Sequence, residues 1–230
     1  ERIVVTDTAF SPYSVVLIFS IERFTPGKPN LVLIDLKNNN VIKQLTKDGG
    51  ASPFWSFDGR KILYLSFKDD RRGEIYSIDH QTGKEDRLTK DTYMDFSPSL
   101  SADGRYLFYT SIRKDTNQNG TLDERDNSYI VRLDLETKSE RLLSSGKTSV
   151  FDTKYSAFNG GSVLFSASLH NSINVYSIPA SGSVPKQENI NSQFEYALRY
   201  KSKQSYESFL LALDSVEMFF GADNLFPIYK

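Results

Sequence analysis

The sequence predicts an all-β fold built from β-propeller blades of four antiparallel strands, with about four blades in this chain and a short C-terminal α-helical segment. Three observations lead to this prediction. A unit of about 45 residues repeats along the chain, Asp-Gly turns separate short apolar runs, and 13 Tyr and 16 Phe accompany many Val and Ile, a composition that favours strands. Four short strands per unit at this period are typical of a propeller blade.

The repeat is clearest in two stretches of the chain. SPFWSFDGRKILYLS begins at Ser52, and SPSLSADGRYLFYTS begins at Ser97, which lies 45 residues later. Each stretch contains Asp-Gly between two strand-like runs, a sequence that favours a tight turn because glycine accepts a positive φ. The segments that follow also match, since EIYSIDHQTGKEDRLT resembles YIVRLDLETKSERLL and LVLIDLKNNNVIKQLT. Each unit is therefore expected to contain two pairs of strands.

Two further copies of the unit are weaker. The first begins at Ser11 in SPYSVVLIFS and has no Asp-Gly turn, whereas the last runs through YSAFNGGSVLFSAS, with Asn-Gly-Gly at the turn position. RIVVTD, which precedes the first copy, could supply an outer strand to another blade. The sequence thus predicts a propeller over residues 1–189, with blades at approximately 7–46, 47–90, 91–145 and 146–187.

These motifs resemble the TolB-type propeller repeat, which is related to the WD repeat. The second unit carries the pattern almost throughout: Ser52, Pro53, Trp55, Ser56, Asp58, Gly59, Ile75, Tyr76, Asp79, Arg87, Leu88 and Thr89. The resemblance covers about residues 7–187. It implies the propeller fold, and it also implies a protein that works through protein contacts at the bacterial envelope.

The pattern changes after about residue 190, where apolar residues recur at helical spacing. We expect two helices at about 192–201 and 206–220, with Ser205 as an N-cap and Gly221 as a C-cap. Residues 190–230 therefore form a predicted C-terminal helical segment. This segment either packs against the propeller or begins a further domain or a partner surface.

One loop of the third unit has an unusual composition. Ser111 and Asp134 are 23 positions apart, whereas the matching Ser66 and Asp79 are 13 apart, and the excess contains DTNQNGTLDERD. Side-chain oxygens at its first, third and fifth positions, a glycine at the sixth and an acid at the twelfth follow the spacing of a calcium loop. The predicted ligands of Ca²⁺ are Asp115, Asn117, Asn119, Thr121, Asp123 and Asp126.

The loop resembles the calcium loops of EF-hand and dockerin modules, with two departures. Asp126 stands where those loops usually have Glu, and the flanking segments are predicted strands instead of helices. An ordinary polar turn is the alternative, because Asp, Asn and Gly are frequent in loops. Three carboxylates predict a modest dissociation constant, about 10⁻⁵ to 10⁻³ M. Such a site suits a periplasmic, extracellular or cell-surface protein.

The composition excludes several classes of partner and site. With 28 basic and 29 acidic residues, the chain has no basic excess for a nucleic acid or a membrane surface. No apolar run reaches about 18 residues, so no transmembrane segment is expected. Cysteine is absent, which excludes disulfides and thiolate metal sites.

The motifs do not predict an enzyme. The two histidines, His80 and His170, are far apart, no G-x-S-x-G motif is present, and SSGKTS lacks the upstream glycine of a P-loop. Trp55 occupies the aromatic position of the repeat and is expected in the core. The acids that recur with the repeat are expected to cap turns: Asp58, Asp79, Asp103 and Asp134.

These observations favour a non-catalytic calcium-binding propeller that acts as a protein-interaction module in the bacterial cell envelope. Two alternatives stay open. The chain could be the non-catalytic regulatory propeller of a larger peptidase or hydrolase, and a serine-hydrolase motif in the full-length gene product would favour that alternative. It could also be a glycan-binding propeller, which would need exposed aromatic residues on one face.

Overall fold

The computed structural model describes residues 4–22, 29–37, 41–69, 72–156, 161–169 and 172–181. Within these ranges the chain forms fifteen strands, β1 to β15, which group into four sheets in chain order. In every sheet, strands that follow one another in the chain are hydrogen-bonded neighbours and run antiparallel. We refer to each sheet as a blade.

The first two blades contain four strands each. The first blade consists of β1 (Val4–Phe10), β2 (Val16–Glu22), β3 (Asn30–Asp35) and β4 (Val41–Gln44). The second blade consists of β5 (Ala51–Trp55), β6 (Lys61–Ser66), β7 (Glu74–Asp79) and β8 (Glu85–Arg87).

The third blade also has four strands, and the described part of the fourth has three. The third blade consists of β9 (Met94–Leu100), β10 (Tyr106–Ile112), β11 (Ser128–Asp134) and β12 (Glu140–Leu142). The fourth consists of β13 (Val150–Ser156), β14 (Ser162–Leu169) and β15 (Ser172–Pro179). The fold is an all-β four-bladed propeller, which confirms the fold class predicted from the repeat.

The Ser-Pro motif marks a bulge in the first strand of a blade. Ser52 and Ser97 have positive φ values of 48° and 51°, and the ladder register shifts beside both residues. Asp152 has a φ of 54° at a similar register shift in the fourth blade. Proline cannot donate a ladder hydrogen bond, and a bulge is one of the few places within a sheet that accept it. The bulge explains why the motif recurs.

The Asp-Gly motif closes the first hairpin of the second and third blades. Gly59 has a φ of 67°, which glycine adopts without steric cost. The carboxylate of Asp58 accepts hydrogen bonds from the Ser56 hydroxyl (2.5 Å) and from the backbone N–H of Arg60 (3.0 Å). The third blade repeats these bonds around Asp103. The bonds lower the pKa of both carboxyl groups.

Two other recurring acids close the third hairpin of the same blades, between β7 and β8 and between β11 and β12. Asp79 accepts hydrogen bonds from the backbone N–H of Thr82 (2.9 Å) and from Arg60 Nε (2.9 Å). Asp134 makes the same kinds of contact with its own turn and with Arg105 Nη2 (2.8 Å). Backbone hydrogen bonding, followed by the arginine, lowers the pKa of both acids, to about 2 for Asp134. All four recurring acids therefore cap turns.

Three apolar cores join successive blades. Each core consists of buried aliphatic and aromatic side chains from two facing sheets. Representative pairs from the first–second, second–third and third–fourth cores are Ile18 and Tyr64, Leu63 and Tyr109, and Phe108 and Phe165. Trp55 lies in the first of these cores, and its Nε1 donates to the carbonyl of Ala9 (3.2 Å). Its predicted core position is confirmed.

The structure corrects two expectations about the first blade. Val4–Phe10 is a strand of the first blade and pairs with β2, so RIVVTD does not supply an outer strand to another of the described blades. Ser11 donates its backbone N–H to the carbonyl of Val16 (2.9 Å), as Ser56 does to Lys61 in the second blade. Ser11-Pro12 therefore lies in the hairpin turn and not at the bulge. Serine occupies both positions of the repeat, which made the motif ambiguous.

The predicted helices at about 192–201 and 206–220 lie outside the described residues. The division of the chain into a propeller over 1–189 and a helical segment over 190–230 therefore stays a prediction. Within the ranges given above, no helix is long and apolar enough to cross a membrane.

Candidate functional site

The third blade differs from the second in the connection between its second and third strands. Ser111 pairs with Tyr129 across this hairpin, as Ser66 pairs with Glu74 in the second blade. Seventeen residues lie between the first pair and seven between the second, so the third blade has ten additional residues here. We call residues 113–127, between β10 and β11, the inserted loop.

The first half of the inserted loop coils around its own side chains. Asp115 accepts the backbone N–H of Asn119 at Oδ1 (3.1 Å) and that of Gly120 at Oδ2 (2.8 Å). The side-chain oxygens of Asn117 and Asn119 accept the N–H groups two residues further on, at 2.9 and 2.8 Å. Gly120 has a φ of 83°, and a Cβ there would meet nothing within 4 Å. Backbone conformation, and not lack of space, therefore favours glycine at this position.

Asp126 holds the two ends of the inserted loop together. Its side chain is buried, and its Oδ1 accepts the backbone N–H groups of Thr116 (2.7 Å) and Asn117 (3.1 Å). Its Oδ2 accepts the N–H of Asp123 (3.0 Å). Burial raises the pKa of Asp126, but these hydrogen bonds outweigh it and bring the pKa below its ordinary value. The carboxylate therefore stays charged at neutral pH and anchors the loop.

The six predicted calcium ligands all lie in this loop: Asp115, Asn117, Asn119, Thr121, Asp123 and Asp126. Carboxylate and amide oxygens are the ligands that calcium prefers. These oxygens already accept the loop's own N–H groups, and among the described residues no three Asp, Glu or His side chains are grouped so as to hold a metal ion. The carboxylates would have to move toward a common centre, so calcium binding stays a prediction.

A cleft of about 420 Å³ adjoins the inserted loop. Residues of the second and third blades line it: Arg72, Met94, Leu122, Asp123, Glu124 and Arg125. Arg72 lies in the β6–β7 connection and donates to the carbonyl of Thr92 (2.5 Å), just before β9. The cleft therefore presents two arginines, two carboxylates and two apolar side chains where the second and third blades meet.

Sequence reasoning missed a buried acid beside this cleft. Asp95 follows Met94 in β9 and is 0% exposed. Its Oδ1 accepts the hydroxyl of Ser111 (2.6 Å), whereas its Oδ2 has no hydrogen-bond partner among the described residues. Burial, together with the nearby carboxylate of Asp91, raises the pKa of Asp95 to about 7 against the opposing hydrogen bond from Ser111. A departure from the repeat could have revealed it, because the second blade has Gly50 at this register position.

A polar cluster at the same end of the blade is repeated and therefore structural. The Tyr109 hydroxyl donates to Glu140 (2.8 Å), and Arg113 Nη1 binds the same carboxylate (2.5 Å). The second blade has the same arrangement with Tyr64, Glu85 and Lys68. Burial raises the pKa of both tyrosines well above the usual range. They are therefore neutral hydrogen-bond donors in both blades.

His80 packs edge-on against Trp55, with ring centroids 5.2 Å apart. Burial lowers the pKa of His80, so the ring is predominantly neutral at pH 7. His170 lies outside the described residues. The structure gives His80 a packing role in the core between the first and second blades.

Known proteins with related sequences share this propeller. A family model described as the TolB beta propeller domain matches residues 3–197. The protein TolB homolog of Chlorobium chlorochromatii is 30% identical over 112 residues, which are 49% of this chain and 24% of that protein. The Tol-Pal system protein TolB of Francisella tularensis subsp. tularensis is 39% identical over 70 residues, which are 30% of this chain and 16% of that protein. The matches thus span about a quarter of the length of these relatives, or less.

Solved structures show the same architecture. TolB from Acinetobacter baumannii superposes with a TM-score of 0.54 and 26% identity, covering 68% of this chain and 36% of that one. An oligogalacturonate lyase in complex with manganese has a TM-score of 0.57 and 19% identity, covering 76% and 49%. The resemblance to the lyase, at 19% identity, shows a shared fold and nothing about function. Because the family model covers most of its residues, this chain belongs to the TolB beta propeller domain family.

Proposed function

We propose that this chain is a non-catalytic interaction module that binds a protein partner at the bacterial cell envelope. The observation that carries the proposal is the family match over residues 3–197, together with relatives named TolB, one of which is a Tol-Pal system protein. The proposed partner is therefore a protein of a Tol-Pal system. The proposed location is the periplasm or the cell surface.

The partner surface that we propose is the cleft beside the inserted loop. Protein interfaces combine an apolar centre with a polar rim and are enriched in Met and Arg. Met94 and Leu122 are the apolar lining residues, and Arg72, Asp123 and Arg125 add charges of both signs. The ten additional residues enlarge this end of the third blade alone, which distinguishes it from the equivalent end of the second.

The absence of catalysis is part of the proposal. Catalytic groups with shifted pKa values need access to a substrate and a second group positioned to act with them. Tyr64 and Tyr109 are instead buried and bonded to carboxylates of their own blades. Asp95 has no exposed surface. Turnover of a peptide, ester or glycan that a point change in the propeller abolishes would contradict this part of the proposal.

Glycan binding is a second candidate, and one observation favours it. Phe10 ends β1 and Tyr13 lies in the following turn, and they are 67% and 78% exposed. Flat exposed aromatic rings are suitable surfaces for sugar rings. A glycan titration that is lost on Tyr13→Ala and kept on Leu36→Ala, an exposed aliphatic control in the same blade, would favour this candidate over a protein partner.

We further propose that the inserted loop binds one calcium ion. Three observations support this: the ligand spacing from Asp115 to Asp126, the coil that the backbone already forms, and the oxygen-rich donor set. Asp126 Oδ1 accepts two backbone N–H groups and a hydroxyl, so this carboxylate is expected to contribute mainly through Oδ2. Calcium would supply positive charge that offsets the repulsion among the three carboxylates.

Calorimetry tests the calcium proposal. Wild type should bind calcium with a dissociation constant of about 10⁻⁵ to 10⁻³ M, and the double variant Asp115→Ala, Asp123→Ala should not bind. Glu124→Gln is the matched control, because it removes a carboxylate of the same loop that is not a predicted ligand. Equal heats for wild type and the double variant, or no heat for wild type, would reduce the loop to an ordinary polar turn.

Site-specific photocrosslinking tests the proposed partner surface. A photoreactive residue replaces Glu124 in the inserted loop or Glu136 in the β11–β12 turn, at the opposite end of the same blade; both side chains are exposed. In bacterial envelopes, a protein adduct should form from position 124 and not from position 136. Equal adducts from both positions, or none from position 124, would contradict this surface.

A further inference from the structure

The inserted loop contains the dipeptide Asn119-Gly120, and both of its residues are exposed to solvent. The backbone nitrogen of the residue that follows an asparagine can attack the asparagine side chain. Glycine allows the closest approach, because it has no Cβ and adopts conformations that other residues avoid. Asn119 is therefore a candidate site of chemical modification, a role that is separate from the proposed partner binding.

The reaction that this dipeptide favours is deamidation through a cyclic imide. A bond forms between Gly120 N and Asn119 Cγ, the bond between Cγ and Nδ2 breaks, and the Gly120 proton leaves with the departing ammonia. Water then opens the ring at either of its two carbonyl carbons, which leaves aspartate or isoaspartate at position 119. Water is the only co-reactant. The first step needs the two reacting atoms aligned at about 3–3.5 Å.

The folded loop engages the attacking nitrogen in another contact. The N–H of Gly120 donates to Asp115 Oδ2 (2.8 Å), and the N–H of Asn119 donates to Oδ1 of the same carboxylate (3.1 Å). To form the imide, the Gly120 nitrogen must lose its proton and turn toward Asn119 Cγ. It must therefore give up its hydrogen bond to Asp115.

The loop also fixes the amide group that would be attacked. Asn119 Oδ1 accepts the backbone N–H (2.8 Å) and the hydroxyl (2.7 Å) of Thr121. At the other end of the amide, Nδ2 donates to Asp123 Oδ2 (3.0 Å). Rotating the side chain toward Gly120 N would break these three bonds. Because both reacting groups are held by other partners, the imide should form mainly in molecules whose loop has opened.

We propose that Asn119 is a site of spontaneous deamidation that the folded inserted loop suppresses, so that opening of the loop makes an irreversible change there. Aspartate at position 119 would replace a donor to Asp123 by a second carboxylate, which repels it. Isoaspartate would add a carbon to the main chain before Gly120 and displace the N–H that Asp115 accepts. Either product disfavours the coil. Asp123 also lines the cleft, so the change reaches the proposed partner surface.

Peptide mapping by mass spectrometry tests the proposal on the 230-residue chain. Samples are incubated at mildly alkaline pH, either folded or in guanidinium chloride, with a metal chelator present so that the outcome does not depend on calcium binding. Asn119 should deamidate at least about tenfold faster in the denatured chain than in the folded one. Asn159, in the other Asn-Gly pair of the sequence, is the internal reference for the denatured rate.

Variants identify the bonds that suppress the reaction. In the folded chain, Asp115→Ala should bring the rate at Asn119 close to that of the denatured chain, because it frees the N–H of Gly120. Glu124→Ala is the matched control, since it removes a carboxylate of the same loop that is exposed, and its rate should equal that of wild type. Thr121→Val removes one hydroxyl donor at nearly constant size and should raise the rate about threefold.

A cooperative denaturation curve shows whether each variant is folded, and Thr121→Val decides the matter if Asp115→Ala is not. Equal rates at Asn119 in the folded and denatured wild type would overturn the proposal. So would a denatured chain in which Asn159 reacts and Asn119 does not. An acceleration by Glu124→Ala as large as that by Asp115→Ala would also contradict it, because loss of charge and not loss of a hydrogen bond would then control the reaction.

Discussion

The second and third blades share several polar groups at matching register positions, and they differ in the length of one connection at the end where the candidate site lies. In both, the aspartate of the Asp-Gly turn accepts a serine hydroxyl, an aspartate–arginine pair closes the third hairpin, and a buried tyrosine donates to a glutamate. The third blade alone adds the inserted loop, and it has buried Asp95 where the second has Gly50.

This difference separates structural residues from candidate functional ones. A polar group that recurs in both blades has a partner in its own sheet, so its role is explained by the fold. Packing leaves no room for a side chain at position 50 of the second blade, because a Cβ on Gly50 would lie 2.7 Å from Leu31 Cγ. The inserted loop and Asp95 have no counterpart in the second blade, and both lie beside the cleft. Function is therefore best sought where the repeat is broken.

The largest expected effect tests whether the repeated tyrosines are equivalent. Tyr64→Ala and Tyr109→Ala should each lower the free energy of unfolding by about 4 kcal/mol, because each removes a fully buried ring and leaves a cavity. The corresponding Phe variants should each lose about 1 kcal/mol, the contribution of one hydrogen bond. Urea denaturation measures all four. If the losses in free energy of unfolding for Tyr64→Ala and Tyr109→Ala differed by more than about 2 kcal/mol, the two tyrosines would not be equivalent.

An intermediate effect should appear in the pH dependence of stability. The pKa of Asp95 is raised to about 7 in the folded chain by burial, with Asp91 and Glu74 in the same sense and Ser111 and Arg113 opposed. The folded state therefore holds a proton that the unfolded state has lost. The contribution of this carboxyl group to the free energy of unfolding is fully present below the ordinary pKa of aspartate and is lost as the pH rises through about 7.

Asp95→Asn should remove this loss and stabilise the chain by about 2 kcal/mol at pH 8, with little change at pH 4. Denaturation midpoints measured across this pH range check the prediction. The control is Asp103→Asn, because the pKa of this exposed turn acid is lowered and its contribution is lost only at acidic pH. A gain at pH 8 no larger for Asp95→Asn than for the control would show that Asp95 does not titrate in the fold.

The smallest effect concerns an ion pair that the third blade does not share. Lys61 Nζ lies 3.4 Å from Asp86 Oδ2, and both side chains are more than 40% exposed. The third blade has Tyr106 in place of the lysine. Lys61→Ala should change the free energy of unfolding by no more than about 0.5 kcal/mol, because exposed ion pairs contribute little. A larger loss that disappears in 1 M salt would show that the pair matters to the second blade.

Much of the fold could be predicted because its determinants are local. A period of about 45 residues, Asp-Gly turns and alternating apolar residues each follow from the conformational preferences of short segments. Ser11-Pro12 was misplaced because serine serves both the bulge and the hairpin turn. The repeat marks Asp95 as a departure, because the second blade has Gly50 at this position, but the burial of Asp95 could not be predicted from its neighbours in the chain.

The inserted loop was predictable only in part. The spacing from Asp115 to Asp126 predicted a calcium loop, and the backbone N–H groups of Asn119, Gly120 and Thr121 coil this segment by donating to its side-chain oxygens. Spacing alone does not determine whether the carboxylates converge on one point, because each oxygen also competes for backbone N–H groups. Asp126 is buried only when the loop is folded, so the sequence alone does not show whether its carboxylate binds backbone N–H groups or a metal ion.

The most direct test of the central claim exchanges the one loop in which the two blades differ. In this variant, residues 112–128 are replaced by residues 67–73, the connection of the second blade, which puts Lys68 at the position of Arg113. Capture of envelope proteins by immobilised wild type and by the variant is then compared. Because the strands keep their register, the variant should unfold in one cooperative transition like wild type while capturing its partner at least about tenfold less. Equal capture by both proteins would contradict the claim that function lies in the inserted loop.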